Sequence, residues 1–552
     1  MLEVKTIDIW KTFVIGLVIL GIFLRVYRVT HTQFFYGDPA LDMLVAVHLV
    51  EEESPPLVKP FAVGGQGILP NSPLYFQVLA TTYRVVRNYQ YIVYLFSLTG
   101  ILCIPLAYLI GKEAEDKRLG CVLAGMTAVS FPFIYMSRLV WQPNLIPFIT
   151  FLSLYFLIKA RKTSSLFFLA ASFGVSVFGL YLHHNFAPFF IGLNLMYILL
   201  LVDHLRQKHY RSLLALVLYV IALVAIWKQL YIPHKTEGVL SIFQLNFSNL
   251  LRWPEVIQVI LRRRFFYLAI FESYFLNLAL LLCALLGLWK YLQRYNFLQK
   301  DSFFPKMLLV LLLTSLLPAF YSGNLRSHYL TPYFVLATLL IGLFIYYCFA
   351  RFRKLFWFTL ILYALLNIQP LSQMKYIFTA DAVDELEYEQ LIHQEIVADY
   401  RKRTHQQQIV PSRFAAMIID SNNYGRPEEQ FGECVDCTTS SQYLLLEKST
   451  GRHFTKLTPD PMVYNNIVSL NTNPEYFYLV CRLEKMEFKQ DKKKLLTLAE
   501  KYCLPRTNIF NSQTSHLVSL RRQAITGPSN FGNAVLFVLQ RQPRAAPADA
   551  SL

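Results

Sequence analysis

Short polar stretches interrupt an otherwise apolar chain, and their side chains are of types that transfer protons and hold anions. The first, Phe35-Tyr36-Gly37-Asp38-Pro39-Ala40-Leu41-Asp42, sets two carboxylates four residues apart. Helical spacing puts both on one face. A carboxylate beside aromatics at the edge of an apolar run loses hydration, which tunes it toward a general base. The same residues also suit plain helix initiation, with Asp38 as N-cap, Pro39 at the first helical position and Glu51–Glu53 at the end. Three more stretches follow: Ser137-Arg138-Leu139-Val140-Trp141-Gln142-Pro143-Asn144, Tyr181-Leu182-His183-His184-Asn185 and Ser322-Gly323-Asn324-Leu325-Arg326-Ser327-His328-Tyr329. Taken singly, each reads as an interfacial anchor or a helix cap. Gathered on one face, their Arg, His and Asn side chains would surround Asp38 with cations and hydrogen-bond donors in a common cleft.

The elements that must position these residues are membrane helices. The chain has 552 residues, 55% of them apolar and 16% charged, with 44 Phe and 34 Tyr. Soluble globular proteins average roughly 45–50% and 25%, so the apolar excess faces lipid. The net charge of +17 does not indicate nucleic acid. Residues 1–370 carry 31 Lys+Arg against 15 Asp+Glu, whereas residues 371–552 carry 21 against 20. A nucleic-acid binder concentrates basic charge on a water-exposed domain; here the polar part is nearly neutral and the excess lies in loops of the apolar part. That distribution fits topology signals and contact with anionic membrane lipids.

Apolar runs able to span roughly 30 Å of hydrocarbon fall near 8–28, 90–110, 119–136, 145–160, 164–182, 186–202, 211–230, 265–288, 307–321, 329–349 and 355–371, about eleven spans. The run from Ile9 to Leu24 ends at Arg25 and Arg28 without a small-residue cleavage site and reads as a retained first span. Residues 72–87 are ambiguous between a surface helix and a partial span. With the N-terminus inside, cytoplasmic segments hold 18 basic residues and the opposite loops 10, the asymmetry that orients membrane proteins. Arg262, Arg263 and Arg264 fall on the outer side, against that rule. The transmembrane domain is expected over 1–370, with a long first outer loop at 29–89. An extracytoplasmic α/β or α+β domain is expected over 371–540, and a disordered tail over 541–552.

The extracytoplasmic domain shows an acidic helical stretch (381–403) and strand-like runs FAAMIID, QYLLLEK, EYFYLVCRL and AVLFVLQ. Cys103, Cys121, Cys283 and Cys348 lie in or beside spans and suit packing as small apolar groups. Cys434, Cys437, Cys481 and Cys503 form an even set on the expected oxidising side and are expected to form disulfides, with the pairing open. The rival readings of Cys434-Val435-Asp436-Cys437 are a zinc half-site, redox chemistry or free thiols; no His-x₃-His or second CxxC accompanies the pair, so the zinc signal is weak.

The Gly-Asp of the first outer loop, Asn71-Ser72-Pro73-Leu74-Tyr75-Phe76, Ser137-Arg138 with Trp141-Gln142-Pro143-Asn144, and Arg326-Ser327-His328-Tyr329-Leu330 with Pro332 together resemble the GT-C superfamily of membrane glycosyltransferases. The branch they resemble holds protein O-mannosyltransferases and lipid A aminoarabinose transferases. The resemblance covers about residues 8–350 by order and spacing. It implies transfer of a sugar from a polyprenyl-phosphate donor to a hydroxyl or amine on a protein, lipid or glycan. Transfer would occur on the outer face, with inversion at the anomeric carbon, in a bacterial-type plasma or inner membrane.

The family's loop aspartate, its proposed base, matches Asp38, with Asp42 as the second candidate. Pro39 stands where many relatives have Glu. The oligosaccharyltransferase branch places an acidic metal ligand in the second outer loop, where this chain has Gln142 and Asn144. No cofactor is therefore expected and a divalent metal is not favoured. Arg138 and Arg326 are the candidates for the donor phosphate, because a guanidinium stabilises a departing phosphate through paired, permanently charged contacts. Tyr36, Trp141, Asn144, His183, His184, Asn185, His328 and Tyr329 are expected neighbours of the cleft. The rival reading is a transporter or flippase of polyprenyl-linked glycans. Transporters place such groups near the midplane, often within inverted repeats, whereas here they cluster in loops on one face.

Overall fold

Lipid offers a peptide group no hydrogen-bond partner, so a chain this apolar must satisfy its backbone within helices. The structure, a computed structural model, describes residues 9–32, 38–51, 61–62, 69–70, 73–206, 211–231, 274–294, 303–315, 331–349, 352–373, 385–405, 414–420, 445, 456–457, 468–469, 476–483, 515–526 and 533–543. They fall into two compact units. The first draws on Met1–Val29, Phe61–Tyr75 and Val93–Ile377; the second on Thr30–Pro60, Phe76–Ile92 and Phe378–Leu552.

The helices in chain order are α1 (Ile9–Val26), α2 (Val29–Thr32), α3 (Asp38–Glu51), α4 (Pro73–Val86), α5 (Val93–Ala114), α6 (Lys117–Val129), α7 (Phe131–Met136), α8 (Ile146–Thr163), α9 (Leu166–Leu182), α10 (Ala187–Arg206), α11 (Arg211–Tyr231), α12 (Tyr274–Arg294), α13 (Phe303–Thr314), α14 (Thr331–Phe349), α15 (Arg353–Gln373) and α16 (Glu385–Thr404). Among the described residues, four helical stretches, Tyr89–Ala114, Gln142–Thr163, Ala187–Arg206 and Thr331–Phe349, are long and apolar enough to cross a membrane. α4 has 14 residues and reaches about 21 Å at 1.5 Å per residue, short of a full crossing, so 72–87 is not a complete span.

In the first unit α1 packs on α5 and α6, α5 on α8, α8 on α9, α10 on α13, and α14 on α6, α8 and α12. Gly111 and Gly120 let α5 and α6 touch backbone to backbone; a Cβ on Gly111 would lie 2.6 Å from the Gly120 nitrogen. The outward side chains are apolar, among them Ile15 and Ile19 of α1 and Leu214, Leu218 and Ile221 of α11, as lipid contact requires. Cys103 and Cys121 are buried free thiols, and Cys283 and Cys348 are half-buried ones.

One end of this bundle is ionic. Glu113 closing α5 pairs with Lys159 (2.6 Å) and Lys162 (3.2 Å) of α8, and Arg161 pairs with Asp203 of α10 (3.4 Å). The Tyr346 hydroxyl of α14 donates to Asp116 in the α5–α6 turn (2.9 Å), and the Tyr347 hydroxyl to Glu115.

The run expected as one span over 119–136 is divided at Ser130 into α6 and α7. Pro132 is the cause: it has no N–H for the Ala128 carbonyl. The freed groups find other partners. Arg25 of α1 donates from Nη1 to Ala128 O (3.0 Å) and from Nη2 to Thr127 O (2.8 Å). The Phe131 N–H, which an unbroken helix would give to Thr127, donates to Asn367 Oδ1 of α15 (2.9 Å).

The second unit contains α3, residues 76–86 of α4, a 3₁₀ turn at Tyr89–Ile92, α16 and a sheet. Besides the two-residue pairs β1 (Phe61–Ala62) with β2 (Leu69–Pro70), in the first unit, and β4 (Lys456–Leu457) with β5 (Val468–Ser469), the strands are β3 (Phe414–Asp420), β6 (Tyr476–Leu483), β7 (Ser515–Thr526) and β8 (Asn533–Pro543). Their order is β3-β6-β8-β7, with β3 and β6 parallel and the other pairs antiparallel. Ile392, Ile396 and Tyr400 recur every four residues on α16 and are fully buried. Asp399 on the same stripe accepts from Arg403 Nε (2.6 Å) and from the Tyr478 hydroxyl of β6 (3.3 Å). The expected strands FAAMIID, EYFYLVCRL and AVLFVLQ correspond to β3, β6 and β8. β7, whose apolar pattern is broken by Arg521-Arg522, was not expected. The run QYLLLEK, apart from Leu445, lies outside the described residues, as do Cys434, Cys437 and Cys503; of Cys481 only the backbone is described.

Candidate active site

At the end of the first unit opposite the ionic one, two of the polar stretches meet. α7 ends at Ser137, whose Oγ donates to Ile134 O (2.7 Å), and the Ser97 hydroxyl of α5 lies 3.0 Å from Ser137 O and 3.1 Å from Arg25 O. The chain then turns through Arg138–Trp141 into a 3₁₀ turn at Gln142–Leu145 and on into α8. Asn144 Nδ2 donates to Leu139 O (3.1 Å), closing this turn on itself. Gln142 Nε2 donates to the Leu182 carbonyl at the end of α9, which ties the first turn to the second. In the second turn the Asn185 N–H donates to His183 Nδ1 (3.1 Å), so the neutral imidazole carries its proton on Nε2.

Arg138 is the centre of the first turn. It is 5% exposed, and its Nη1 and Nη2 donate to Leu24 O (3.0 Å) and Tyr27 O (2.9 Å), carbonyls that α1 leaves open where it ends. Arg28, at φ 52°, terminates the α1 segment. Burial lowers the Arg138 guanidinium to about 10, which leaves it charged at neutral pH. The two arginines form a reciprocal arrangement: Arg25 of α1 satisfies the break before α7, and Arg138 after α7 satisfies the end of α1. Gly100 makes room for it, since a Cβ there would lie 2.4 Å from Ser137 Cβ and 3.2 Å from Arg25 Nε.

Arg138, Asn144, His183 and Asn185 are thus buried in one pair of joined turns, with Trp141 half-buried beside them. Asp42 is buried on α3 at 8% exposure, in the second unit. α3 begins at Asp38, one residue earlier than the N-cap reading, and closes near Glu51, which accepts from the Tyr83 hydroxyl of α4. Of Asp38 and His184 only the backbone is described. Tyr36, Arg326, His328, Tyr329 and Arg262–Arg264 lie outside the described residues. Among the described residues no group of three His, Cys, Asp or Glu side chains is placed to hold a metal ion, and Gln142 and Asn144 donate to the Leu182 and Leu139 carbonyls. Sequence reasoning missed Arg25, Ser97 and Asn367. The available signal was a charge or amide inside an apolar run, which in a membrane must have a partner.

No family model matches the chain, and no curated protein does. Solved structures do match. The chain is similar to ArnT from Cupriavidus metallidurans bound to undecaprenyl phosphate, at 9% identity over 96% of this chain and 98% of that one, with a TM-score of 0.49. It is also similar to the oligosaccharyltransferase AglB from Archaeoglobus fulgidus in complex with an inhibitory peptide and a dolichol-phosphate, at 10% identity over 86% and 69%, with a TM-score of 0.45.

Proposed function

We propose that this protein is a membrane glycosyltransferase that moves a sugar from a polyprenyl-phosphate-linked donor to a hydroxyl or amine acceptor, inverting the anomeric carbon. In this reading about eleven helices span the membrane with the N-terminus inside, and the joined turns, the 29–89 loop and residues after about 371 face outward. The observation that carries it is the pair of turns at the non-ionic end of the bundle. There Arg138 is buried, charged and held by two carbonyls, in the ordered set of motifs that also contains the Gly37-Asp38 loop and Arg326.

Asp38 takes the proton from the acceptor, whose oxygen or nitrogen attacks the anomeric carbon as the bond to the phosphate oxygen breaks. The charge that develops on the leaving polyprenyl phosphate is met by Arg138 and Arg326. A guanidinium already fixed in orientation needs little reorganisation in the transition state. An activated phosphate needs no acid to leave, which favours single displacement over a retaining route through Asp38 and Asp42. His183, His184, Asn185 and His328 supply hydrogen bonds to the sugar or phosphate, and Tyr36, Trp141 and Tyr329 the cleft wall.

The test is incubation of purified protein with a panel of labelled polyprenyl-phosphate sugars and membrane extract. Sugar transfer that is lost in Asp38→Asn supports the reading. Asp38→Asn protein with near-normal turnover would remove Asp38 as the base.

A further inference from the structure

α15 is the last helix before the C-terminal segment, yet its buried Asn367 amide reaches the break that precedes the Ser137–Asn144 turn. Asn367 is 1% exposed. Its Nδ2 donates to Tyr363 O (2.9 Å) one turn back and its Oδ1 accepts from Phe131 N–H (2.9 Å). The opposite amide orientation would set donor against donor, so this one is fixed. Tyr363 and Ala364 on the same face pack against the core of Val14, Ile104, Ala124 and Ala128, which holds α15 in register. Asn367 contributes the acceptor for the Phe131 N–H, Arg25 the donors for Thr127 and Ala128. With both in place the broken helix has its backbone satisfied at one bend only, and seven residues after Phe131 comes Arg138.

We propose that Asn367 is a positioning residue: by accepting the Phe131 N–H it sets where α7 departs from α6, and thereby where Arg138 and the Ser137–Asn144 turn are held. Without that acceptor the Phe131 N–H is drawn back toward Thr127 O, in competition with Arg25, and α7 swings. The consequence for the reaction rests on the glycosyltransferase reading; the consequence for the turn does not.

The experiment measures amide hydrogen exchange of the full-length protein in nanodiscs, together with donor KM and kcat, for wild type, Asn367→Leu and Asn367→Asp. Leu removes the acceptor, whereas Asp, protonated when buried without a cation, keeps a carbonyl oxygen for Phe131 N–H and a hydroxyl for Tyr363 O. In Asn367→Leu, exchange in peptides covering 131–145 is expected to rise ~10-fold or more, as for a buried amide losing its partner. Peptides covering α10 should stay within twofold of wild type, and Asn367→Asp should restore 131–145. Donor KM is expected to rise at least fivefold more than kcat falls, because the turn holding the phosphate is displaced while the base is untouched. Unchanged exchange at 131–145, an equal rise across the bundle, or no rescue by Asp overturns the proposal. If Asn367→Leu does not accumulate, Asn367→Ser, too short to reach Phe131, is read by the same criteria. Local exchange that responds as expected in a wild-type protein that transfers no sugar would refute the glycosyltransferase reading and leave the positioning role standing.

Discussion

Replacing Arg25 with Met removes the only charged group that reaches the break between α6 and α7 among the described residues. Arg25 is fully buried, with hydrogen bonds of 2.8 and 3.0 Å to Thr127 O and Ala128 O. Two buried acceptors left without donors cost about 1–3 kcal/mol each. Deleting a buried cation recovers part of its own desolvation cost, which in the interior amounts to several kcal/mol per ion. Here the carbonyls cannot turn to water, so the loss outweighs the recovery, and Arg25→Met should destabilise the protein by about 2–4 kcal/mol. The cause can be isolated through Pro132. In Pro132→Ala the new N–H can donate to Ala128 O and the helix can close across the break, so Arg25→Met should cost about 1–2 kcal/mol less in that background. The assay is reversible unfolding in mixed micelles, followed by far-UV circular dichroism, for the four proteins of the cycle. A coupling below about 0.5 kcal/mol, or an Arg25→Met protein as stable as wild type, would refute the account of the break and the role given to Arg25.

Asp38→Asn should lower kcat by about 10²–10⁴-fold, the usual contribution of a general base, with donor affinity nearly unchanged, and Asp42→Asn should cost less; the reverse order in single-turnover assays would transfer the role to Asp42. Arg138→Lys should weaken donor binding almost as much as Arg138→Ala, because an ammonium cannot span Leu24 O and Tyr27 O as the planar fork does; full rescue by Lys, in equilibrium binding of labelled polyprenyl phosphate, would show that charge alone matters. Burial pushes His393 on α16 from 6.5 down to about 4, with Arg401 adding repulsion, so the unfolded state binds its proton first. The stability it carries is full above about pH 6.5 and falls as pH drops toward 4, by no more than about 3 kcal/mol. Exchange of the α16 amides, corrected for intrinsic rate, should show that slope and lose it in His393→Leu. Protease added to sealed right-side-out cells should cut the chain after residue 371; a tail protected until the membrane is permeabilised would invert the proposed topology.

The elements were more legible in the sequence than their breaks. Apolar runs announce helices through length alone, and α1, α5, α8, α9, α10 and α14 begin and end within about four residues of the expected limits. The division of 119–136 was not read because a proline inside an apolar run is equally compatible with a kinked span. What meets the backbone groups freed at the break is Arg25, about a hundred residues earlier, and Asn367, 236 residues after Phe131, and no local pattern encodes such partners. The fourth strand of the sheet was hidden for a related reason. Val518 and Ser519 are followed by a register shift before Arg521, which disrupts the alternation by which strands are recognised. Within the candidate site the residue types were legible and the use of their atoms was not. Asn144 was expected to line the cleft, yet it donates to the Leu139 carbonyl and closes its own turn, as Gln142 beside it donates to the Leu182 carbonyl.

That difference bears on how an arginine in such a site should be read. A guanidinium in a membrane protein has two employments, to meet an anionic ligand or to satisfy carbonyls that a broken or terminated helix leaves open, and the geometry of the first can depend on the second. Arg25 serves the second, its Nη1 and Nη2 donating to Ala128 O and Thr127 O at the break. Arg138 serves it toward α1, and because Leu24 O and Tyr27 O fix the plane of its guanidinium, the direction in which its positive charge acts is fixed as well. A lysine could supply the charge but not that direction. The sequence Pro132, Ser137, Arg138 is therefore one structural unit: the proline opens the helix, buried partners from α1 and α15 take up the backbone groups it frees, and the chain that leaves it carries the arginine to the end of the bundle, where the Leu24 and Tyr27 carbonyls hold it.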